Sequence, residues 1–316
     1  MVDRRKKVIN FREAVTRKIL TAAAERHGAQ VLSKVRLADV LQIDHSGLEG
    51  DLYSFALKAH FDCVVADENW MPLFAVEFDG PHHELDERAR NNDKKKNKIC
   101  EQLEFPLARV RDEHIFQKAR GIDYLTWLTE LYFAFQALID AQDAGSIPPD
   151  DPLDPMLFMS IPDIPGRFPL FISALARVRL QRLHEQGLIT APAPFHLDGD
   201  SQSGTSESIA AVTVPNGRIL RSSASIYLWG FGVSPSEAAE EIAVVSLAKL
   251  ALTSSQNAGI TPRQFRTEII QFLRTHRCGS WGGGSPGIPL GFLQREGRRE
   301  WRVGILEDEP EVVIPA

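Results

Sequence analysis

The chain has 316 residues, of which 43% are hydrophobic and 25% charged, and its net charge is −6 at pH 7. These values are ordinary for a soluble globular protein of one large or two smaller domains, and the negative charge argues against a uniformly basic nucleic-acid binder. No apolar run reaches membrane-spanning length, the N-terminus lacks a secretory signal, and the three widely spaced cysteines form neither a disulfide framework nor a zinc motif. A cytoplasmic location is therefore expected. A basic excess in residues 1–36 still allows a basic face.

Helices and strands alternate in the first half of the chain. Apolar residues at helical spacing predict a helix over residues 11–27, ended by Gly28. The next segments are predicted as a strand at 30–35, a helical turn or loop at 37–41 and a helical turn at 52–57. Strands at 61–66 and 73–79, a helix at 84–103, a strand at 106–111 and a helix at 122–142 are predicted to follow. The aromatic residues of the last helix fit a core better than a base-stacking surface, because they follow helical spacing.

The pair of strands is predicted to form a hairpin, because a turn-rich spacer separates its two apolar runs. If the hairpin is symmetric about Asn69 and Trp70, Asp62 lies opposite Glu77. Glu77 and Asp79 share one face, since strand side chains alternate. Three carboxylates at one end of a sheet repel each other. Folding alone gives no reason for this patch, whereas a divalent cation does.

The helix at 84–103 carries charge on the stripe that is expected to face the sheet. Lys96 interrupts this stripe, and Asp93 borders it three residues earlier. One account makes the four lysines of this helix a solvated surface with i,i+3 pairs. The other turns Lys96 toward the sheet, where a buried charge needs a partner. The carboxylate patch would be that partner.

The strand at 106–111 is predicted to run parallel to the strand at 73–79 through a right-handed helical crossover. The resulting fold is α/β, with a mixed sheet flanked by helices. In open sheets of this kind, sites collect at the carboxyl ends of strands. The sequence from Glu77 to Gly80 is such an end.

The second half of the chain gives weaker signals. Residues 1–144 are expected to form the first domain, and a proline-rich acidic linker follows at 145–169. A smaller α+β C-terminal domain is expected at 170–306, and an acidic, mobile tail at 307–316. Within that domain we predict helices at 170–186, 235–252 and 262–277, loops at 190–208 and 278–287, and hairpins at 209–222, with an Asn-Gly turn, and at 288–306.

The motifs of the first half together resemble the PD-(D/E)XK nuclease superfamily. Within it they are most similar to the branch near the very-short-patch-repair endonucleases and related uncharacterised bacterial domains. The resemblance covers residues 11–115 and rests on the order and spacing of several short motifs. These are Asp62, Glu77 with Asp79-Gly80, His83, Asn92-Asp93 and Pro106-Leu107-Ala108-Arg109.

One position departs from the pattern of the superfamily. The motif lysine normally follows two residues after the acid that corresponds to Glu77, and Asp79 stands there instead. Some members supply the lysine from the next helix, for which Lys96 is the candidate. His83 is the alternative basic group, as in the repair branch. If neither reaches the site, the domain is inactive.

The resemblance implies a restriction-endonuclease-like core that uses Mg²⁺, with Mn²⁺ as a substitute. A hard cation held by one or two carboxylates activates water and neutralises phosphoryl charge. Asp62 and Glu77 are assigned as metal ligands, and the carbonyl of Phe78 is a further candidate. Asp79 is either a third metal ligand or an anchor for the basic group.

The remaining candidates are catalytic. Lys96 would orient the water or stabilise the developing charge. His83 is a candidate general base that Asp93 could orient, and an ordinary loop histidine is the alternative. Glu13 matches an acid often found on the first helix of the superfamily.

The predicted function is a Mg²⁺-dependent endonuclease that hydrolyses DNA, in a setting of bacterial defence, repair or mobile elements. RNA stays open as a substrate, and no membrane partner is expected. The alternative is a nuclease-fold module that has lost catalysis and binds nucleic acid or protein. The acidic net charge and Asp79 favour this alternative, in which the C-terminal domain contacts a protein partner. A small-molecule metallohydrolase has less support, because no histidine-rich cluster is present.

Overall fold

The computed structural model describes residues 10–80, 87–153, 168–254, 258–284, 287–288, 290–304, 306 and 309–316. The chain divides into two compact units. The first comprises Met1–Leu170 and Tyr227–Val233, and the second comprises Phe171–Ile226 and Ser234–Ala316. The segment Tyr227–Val233, which the sequence places in the C-terminal domain, therefore belongs with the first unit. Residues 154–167 of the expected linker lie outside the described residues.

Helices and strands alternate in the first unit, as predicted. Its helices are α1 (Phe11–Ala24), α2 (Leu37–Val40), α3 (Gly50–Ala56), α4 (Glu87–Gln102), α5 (Asp112–Phe116) and α6 (Tyr124–Asp143). Its strands are β1 (Gln30–Arg36), β2 (His60–Ala66), β3 (Pro72–Phe78), β4 (Leu107–Val110), β5 (Lys118–Ala119) and β6 (Ile122–Asp123). A 3₁₀ turn at Glu25–His27 extends α1, and Gly28 ends it with a φ of 71°, which glycine adopts without steric cost.

The sheet of the first unit has the strand order β1-β2-β3-β4, followed by residues 227–229 of β9 (Ile219–Trp229). β1 pairs antiparallel with β2, and β2 with β3. β3 and β4 are parallel, and β4 pairs antiparallel with residues 227–229. Helix α4 connects the two parallel strands. The predicted α/β fold with a mixed sheet flanked by helices is therefore confirmed.

Alternation along β3 assigns one helix to each face of the sheet. Ala75 packs in a buried cluster with Ile99 and Cys100 of α4, whereas the ring of the preceding residue, Phe74, contacts Tyr132 of α6 at a centroid distance of 4.4 Å. The aromatic residues of α6 thus belong largely to the core, as predicted. Glu77 lies on the same face as Ala75, so the carboxylate patch faces α4.

The predicted hairpin register is correct. Cys63 pairs with Val76 and Val65 with Phe74, and extending this register by one residue places Asp62 opposite Glu77. The turn closes with a hydrogen bond from the Asp67 N–H to the carbonyl of Met71 at 2.9 Å. The same Asp67 side chain accepts bonds from two amides of the turn, which fixes the spacer that sets the register.

The second unit contains a sheet of the order β10-β7-β8-β9, to which β9 contributes residues 219–226, and all of its pairs are antiparallel. A separate sheet has the order β11-β12-β13. The strands are β7 (Phe195–Ser201), β8 (Ser206–Thr213), β10 (His276–Gly282), β11 (Leu290–Arg295), β12 (Arg298–Val303) and β13 (Val312–Pro315). The helices are α7 (Ala174–Glu185), α8 (Pro235–Thr253) and α9 (Pro262–Thr275), close to their predicted positions. The Asn-Gly hairpin is confirmed between β8 and β9.

Three segments differ from the prediction. The loop expected at 190–208 contains β7 and the start of β8, and the loop expected at 278–287 contains most of β10. The tail expected to be mobile at 307–316 contains β13, which pairs antiparallel with β12.

The composition of β7 explains why this strand was missed. Phe195 and Leu197 are buried in the core of the second unit. Asp198 and Gly199 lie within the same strand, however, and these residue types are typical of loops. The glycine is needed for close approach rather than for a turn, because a Cβ at position 199 would lie 2.9 Å from the Cβ of His276.

In the part of the chain that the structure describes, no helix is long and apolar enough to cross a membrane.

Candidate functional site

Acidic and basic side chains meet between the sheet of the first unit and helix α4. Asp62 enters from the start of β2, and Glu77 and Asp79 from the end of β3. Lys96 descends from α4 and is buried, with only 8% of its surface exposed. This placement decides between the two accounts of the helix: Lys96 faces the sheet, while its neighbour Lys95 pairs with Asp51 at 2.6 Å.

Glu77 and Lys96 form a buried ion pair. Lys96 Nζ lies 2.6 Å from Glu77 Oε2 and donates a second bond to the carbonyl of His60 at 2.8 Å. Burial raises the pKa of Glu77 above its ordinary value, the nearby charge of Asp62 adds to this rise, and Lys96 opposes it. A buried carboxylate of this kind depends on its cation, because desolvation of an unpaired charge is costly.

Asp62 and Glu77 are joined through the backbone. The Asp62 N–H donates to Glu77 Oε1 at 3.1 Å, and the Phe78 N–H donates to Asp62 Oδ2 at 3.0 Å. These reciprocal bonds hold the two carboxylates side by side at the end of the hairpin. The backbone of Phe78 thus enters the site through its amide.

A second lysine reaches the same patch from β1. Lys34 Nζ lies 2.6 Å from Asp62 Oδ1 and 3.0 Å from Glu13 Oε1. Glu13 also caps α1, because its Oε2 accepts a bond from the Asn10 N–H. Burial alone would lower the pKa of Lys34, but Asp62 and Glu13 raise it above its ordinary value. Lys34 therefore stays protonated and ties α1 to the carboxylate patch.

Arg109 organises the other side of the patch. Its Nη1 lies 2.7 Å from Asp79 Oδ1 and 3.0 Å from Asp93 Oδ1, and its Nε donates to Asn97 Oδ1 at 2.7 Å. Burial alone would lower the pKa of Arg109, but the carboxylates of Asp79 and Asp93 raise it well above its ordinary value. The planar guanidinium binds several acceptors at once, so Arg109 fixes α4 against the end of β3.

The ion pairs of the patch join five carboxylates to three cations. The carboxylates are those of Glu13, Asp62, Glu77, Asp79 and Asp93, and the cations are Lys34, Lys96 and Arg109. Of the carboxylates, Asp62 and Glu77 are linked across the hairpin, and one or two carboxylates suffice for Mg²⁺.

The expected set of three metal ligands does not form a compact group. Within the described ranges, one group of three His, Cys, Asp or Glu ligand atoms lies within 4.8 Å, and it belongs to the second unit. Asp62 and Glu77 are adjacent, whereas Asp79 is held by Arg109. The residues therefore fit a cation bound by two carboxylates rather than by three.

The nearby cysteines do not contribute a thiolate. Burial raises the pKa of Cys63 and of Cys100 to about 12. Both thiols are therefore protonated near neutral pH, and neither is an activated nucleophile.

The structure thus brings Asp62, Glu77, Asp79, Lys96 and Asp93 into one patch, while His83 lies outside the described residues. Sequence reasoning gave no role to Lys34 or Arg109. A signal for Arg109 was present, because a charged residue in a buried parallel strand needs partners on its own face. Its register partner is Glu77. Lys34 stands at a φ of 55° between residues paired with β2, an irregularity that sequence does not reveal.

Comparison with known proteins gives a family without an assigned activity. Residues 5–127 match the model of a family described as a protein of unknown function, DUF2726. This match spans the whole patch, including the position of His83. No curated protein and no solved structure matches the chain.

Proposed function

We propose that the first unit is a Mg²⁺-dependent endonuclease that hydrolyses DNA phosphodiester bonds. The observation that carries this proposal is the buried Glu77–Lys96 pair beside Asp62 at the carboxyl end of a parallel strand. Replacing a buried ion pair by apolar residues is often neutral or stabilising, so stability alone does not explain the pair. A lysine beside two adjacent carboxylates is the arrangement that the resemblance to the PD-(D/E)XK superfamily implies.

Asp62 and Glu77 are the residues that would hold the cation. Their carboxylates are adjacent, because the amides of Asp62 and Phe78 link them across the hairpin. When bound, Mg²⁺ supplies an activated water near neutral pH and neutralises charge on the phosphoryl group.

Lys96 acts as the positively charged group of the site. Its Nζ is held by Glu77 Oε2 and the carbonyl of His60, with the ring of Phe61 5.8 Å away. Held in this way, the ammonium can stabilise negative charge that develops on the phosphoryl oxygens without reorganising. It takes the role of the motif lysine, for which Asp79 cannot serve.

Asp79, Asp93 and Arg109 position the site rather than touch the substrate. Arg109 binds both carboxylates and also Asn97, so it fixes the height of α4 above the sheet. That height determines whether Lys96 reaches Glu77.

The test is cleavage of supercoiled plasmid DNA and of single-stranded RNA by the full chain, with Mg²⁺ or with excess chelator. We expect Mg²⁺-dependent nicking of DNA. The nicking rate of the Glu77→Gln and Asp62→Asn variants should fall at least about 100-fold, because a bound metal ion stabilises the transition state by several kcal/mol. Asp39→Asn is the matched control, because Asp39 is an exposed acid paired with Arg36 on the surface. Undiminished cleavage in chelator or in both site variants would refute the proposal.

One observation favours the alternative, a nuclease-fold module that binds without cleaving. Every oxygen of Asp62 and Glu77 already accepts a bond from Lys34, Lys96 or a backbone amide. In this case the hydrogen bonds serve only to stabilise the fold of the first unit. Gel-shift binding of DNA that needs no Mg²⁺, together with no heat of Mg²⁺ or Mn²⁺ binding at this patch, would support the alternative over the enzyme.

A further inference from the structure

The second unit contains a compact cluster of metal-ligating side chains, separate from the patch of the first unit. His196 and Asp198 lie two residues apart on β7 and therefore point to the same face. Glu240 approaches them from α8. His196 Nδ1 lies 2.9 Å from Asp198 Oδ2 and 3.3 Å from Glu240 Oε2, and one ligand atom from each of the three residues falls within 4.8 Å of the others.

We propose that His196, Asp198 and Glu240 bind a first-row divalent transition-metal ion, with Zn²⁺ as the best match. One imidazole nitrogen and two carboxylate oxygens form a ligand set that Zn²⁺ accepts at bond lengths of about 2.0–2.2 Å. At tetrahedral angles the ligand atoms on such an ion lie about 3.3–3.6 Å apart. The distances of 2.9 and 3.3 Å from His196 Nδ1 to the two carboxylate oxygens are close to this range, so only small side-chain adjustments are needed. Three protein ligands leave a further position for solvent.

A second observation points to a ligand at this cluster. Asp198 is 1% exposed, and its Oδ1 has no hydrogen-bond partner among the residues that the structure describes. The other oxygen of the same carboxylate accepts bonds from His196 and from Ser280 Oγ, the latter at 2.8 Å. A buried carboxylate oxygen without a partner is costly. A proton on His196 satisfies only Oδ2, whereas a metal ion at the cluster would also offer Oδ1 a partner.

The surroundings of the cluster hold the ligands in place. Arg177 Nη2 binds Glu240 Oε1 at 2.6 Å, which leaves Glu240 Oε2 directed at His196. Arg177 is itself fixed by Ser173 Oγ, whose hydroxyl also bonds Glu241. Such outer partners orient metal ligands in proteins and are a normal part of a metal site.

The charge of the cluster also suits a divalent cation. With His196 neutral, the carboxylates of Asp198 and Glu240 exceed the single cation Arg177 by one negative charge. His196 and Glu240 keep 19% and 16% of their side-chain surface exposed, so an ion from solution can reach them.

The ring of His196 has little freedom to turn away. Gly282 pairs with His196 across β7 and β10, and a Cβ at position 282 would lie 2.7 Å from His196 Nε2. The glycine therefore allows the strand to press against the Nε2 side of the ring, while Nδ1 faces the carboxylates. Of the two ring nitrogens, Nδ1 is the metal ligand.

The test is Zn²⁺ binding by the full chain, measured by calorimetry after removal of bound metal and checked with the absorption spectrum of the Co²⁺ form. The Asp62→Asn variant serves as the parent protein, so that the patch of the first unit does not contribute while the buried Glu77–Lys96 pair stays intact. We expect one equivalent of Zn²⁺, and binding weaker by more than about 100-fold in His196→Gln, which exceeds the roughly 10–100-fold loss seen for outer partners. Glu240→Gln, on the more exposed ligand, should also bind more weakly.

Two controls make the result specific. His184→Gln removes a histidine of α7 that bonds the carbonyl of Ile189, and Cys278→Ser removes the half-buried thiol of the second unit. Both should bind Zn²⁺ as the parent does. Circular dichroism establishes that each variant is folded, and Glu240→Gln decides the matter if His196→Gln does not fold. No Zn²⁺ or Co²⁺ binding by the parent, or equal binding by parent, His196→Gln and Glu240→Gln, would overturn the proposal.

Discussion

Asp62 and Glu77 hold each other through reciprocal contacts across the β2–β3 hairpin. The amide of Asp62 donates to the carboxylate of Glu77, and the carboxylate of Asp62 accepts from the amide that follows Glu77. Two like charges are thereby kept adjacent at the end of a buried hairpin. Lys34 from β1 and Lys96 from α4 compensate them, and the stability of this arrangement can be measured one side chain at a time.

Removing Lys96 should strongly destabilise the first unit. In Lys96→Met the buried carboxylate of Glu77 loses its cation, and breaking a buried pair from one side costs about 3–5 kcal/mol. Chemical denaturation measures the loss in the free energy of unfolding. The double variant Lys96→Met with Glu77→Gln should recover a substantial part of it, because no unpaired charge stays buried. A cost below about 1 kcal/mol for Lys96→Met, the size of a surface pair, would contradict a desolvated ion pair.

Arg109 should not be replaceable by lysine. Lysine keeps the charge but lacks the planar fork that binds Asp79, Asp93 and Asn97 together. We expect Arg109→Lys to lower the free energy of unfolding by at least about 2 kcal/mol, since charged hydrogen bonds are lost.

The matched control for this change is Arg36→Lys. Arg36 and Asp39 form an exposed i,i+3 pair, so the change should stay within about 0.5 kcal/mol. Equal effects of the two substitutions would show that Arg109 does not organise the patch.

Two glycines with positive φ test whether the segment Tyr227–Val233 is packed in the first unit. Gly232 and Gly217 have φ values of 73° and 80°, so alanine costs about 1–2 kcal/mol at each, because its Cβ crowds the carbonyl oxygen in this left-handed region. A Cβ at position 232 would also lie 2.0 Å from the ring of Phe135, whereas nothing lies within 4 Å at position 217. Gly232→Ala should therefore cost about 1–3 kcal/mol more than Gly217→Ala. Thermal or chemical unfolding of both variants provides the comparison, and equal losses would argue against the packing of Gly232 on Phe135.

The second unit should become less stable as the pH rises, because His276 then loses the proton that favours its contact with Glu207. Its pKa is raised above the ordinary value of 6.5, mainly because its ring contacts the carboxylate of Glu207, with Nε2 and Oε2 3.4 Å apart. A raised folded pKa means that the protonated form stabilises the fold. This contribution is complete below pH 6.5 and is lost as the pH rises through the folded pKa.

Unfolding in urea at about pH 6 and about pH 8.5 measures this effect, because the two values lie on either side of the histidine transition. Glu207→Gln keeps the shape of the side chain but removes its charge, so it should reduce the loss of stability between the two pH values. The same pH dependence in both proteins would contradict the role of Glu207.

Much of the first unit follows from local sequence signals. The hairpin register followed from the symmetry of two apolar runs about Asn69 and Trp70, because the turn is closed by local bonds. Helical spacing put Lys96 on the stripe of α4 that could face the sheet, with a solvated surface as the alternative, and the buried contact with Glu77 decides for the sheet. Local patterns therefore placed Asp62, Glu77 and Lys96 correctly relative to one another.

The features that the sequence did not predict depend on contacts between distant segments of the chain. Lys34 reaches Asp62 from another strand and from a left-handed backbone position, and no local pattern reports that. In β7, Asp198 and Gly199 are strand residues because of contacts with distant parts of the chain. Ser280 bonds Asp198, and His276 lies too close to position 199 for any side chain there. The sequence did not predict the cluster of His196, Asp198 and Glu240 for the same reason. Glu240 lies on α8, which β8 and β9 separate from β7 along the chain.

The most direct test of the central claim is the initial rate of plasmid nicking as a function of Mg²⁺ concentration, measured for the natural chain, Asp62→Asn and the surface control Asp39→Asn. If Asp62 and Glu77 hold the catalytic cation, the natural chain and Asp39→Asn follow the same saturable curve. Asp62→Asn then needs far more Mg²⁺ or does not cut at all, although its circular dichroism is unchanged. Nicking that does not depend on Mg²⁺, or one common curve for all three proteins, would contradict the assignment of this patch as a metal-dependent nuclease site.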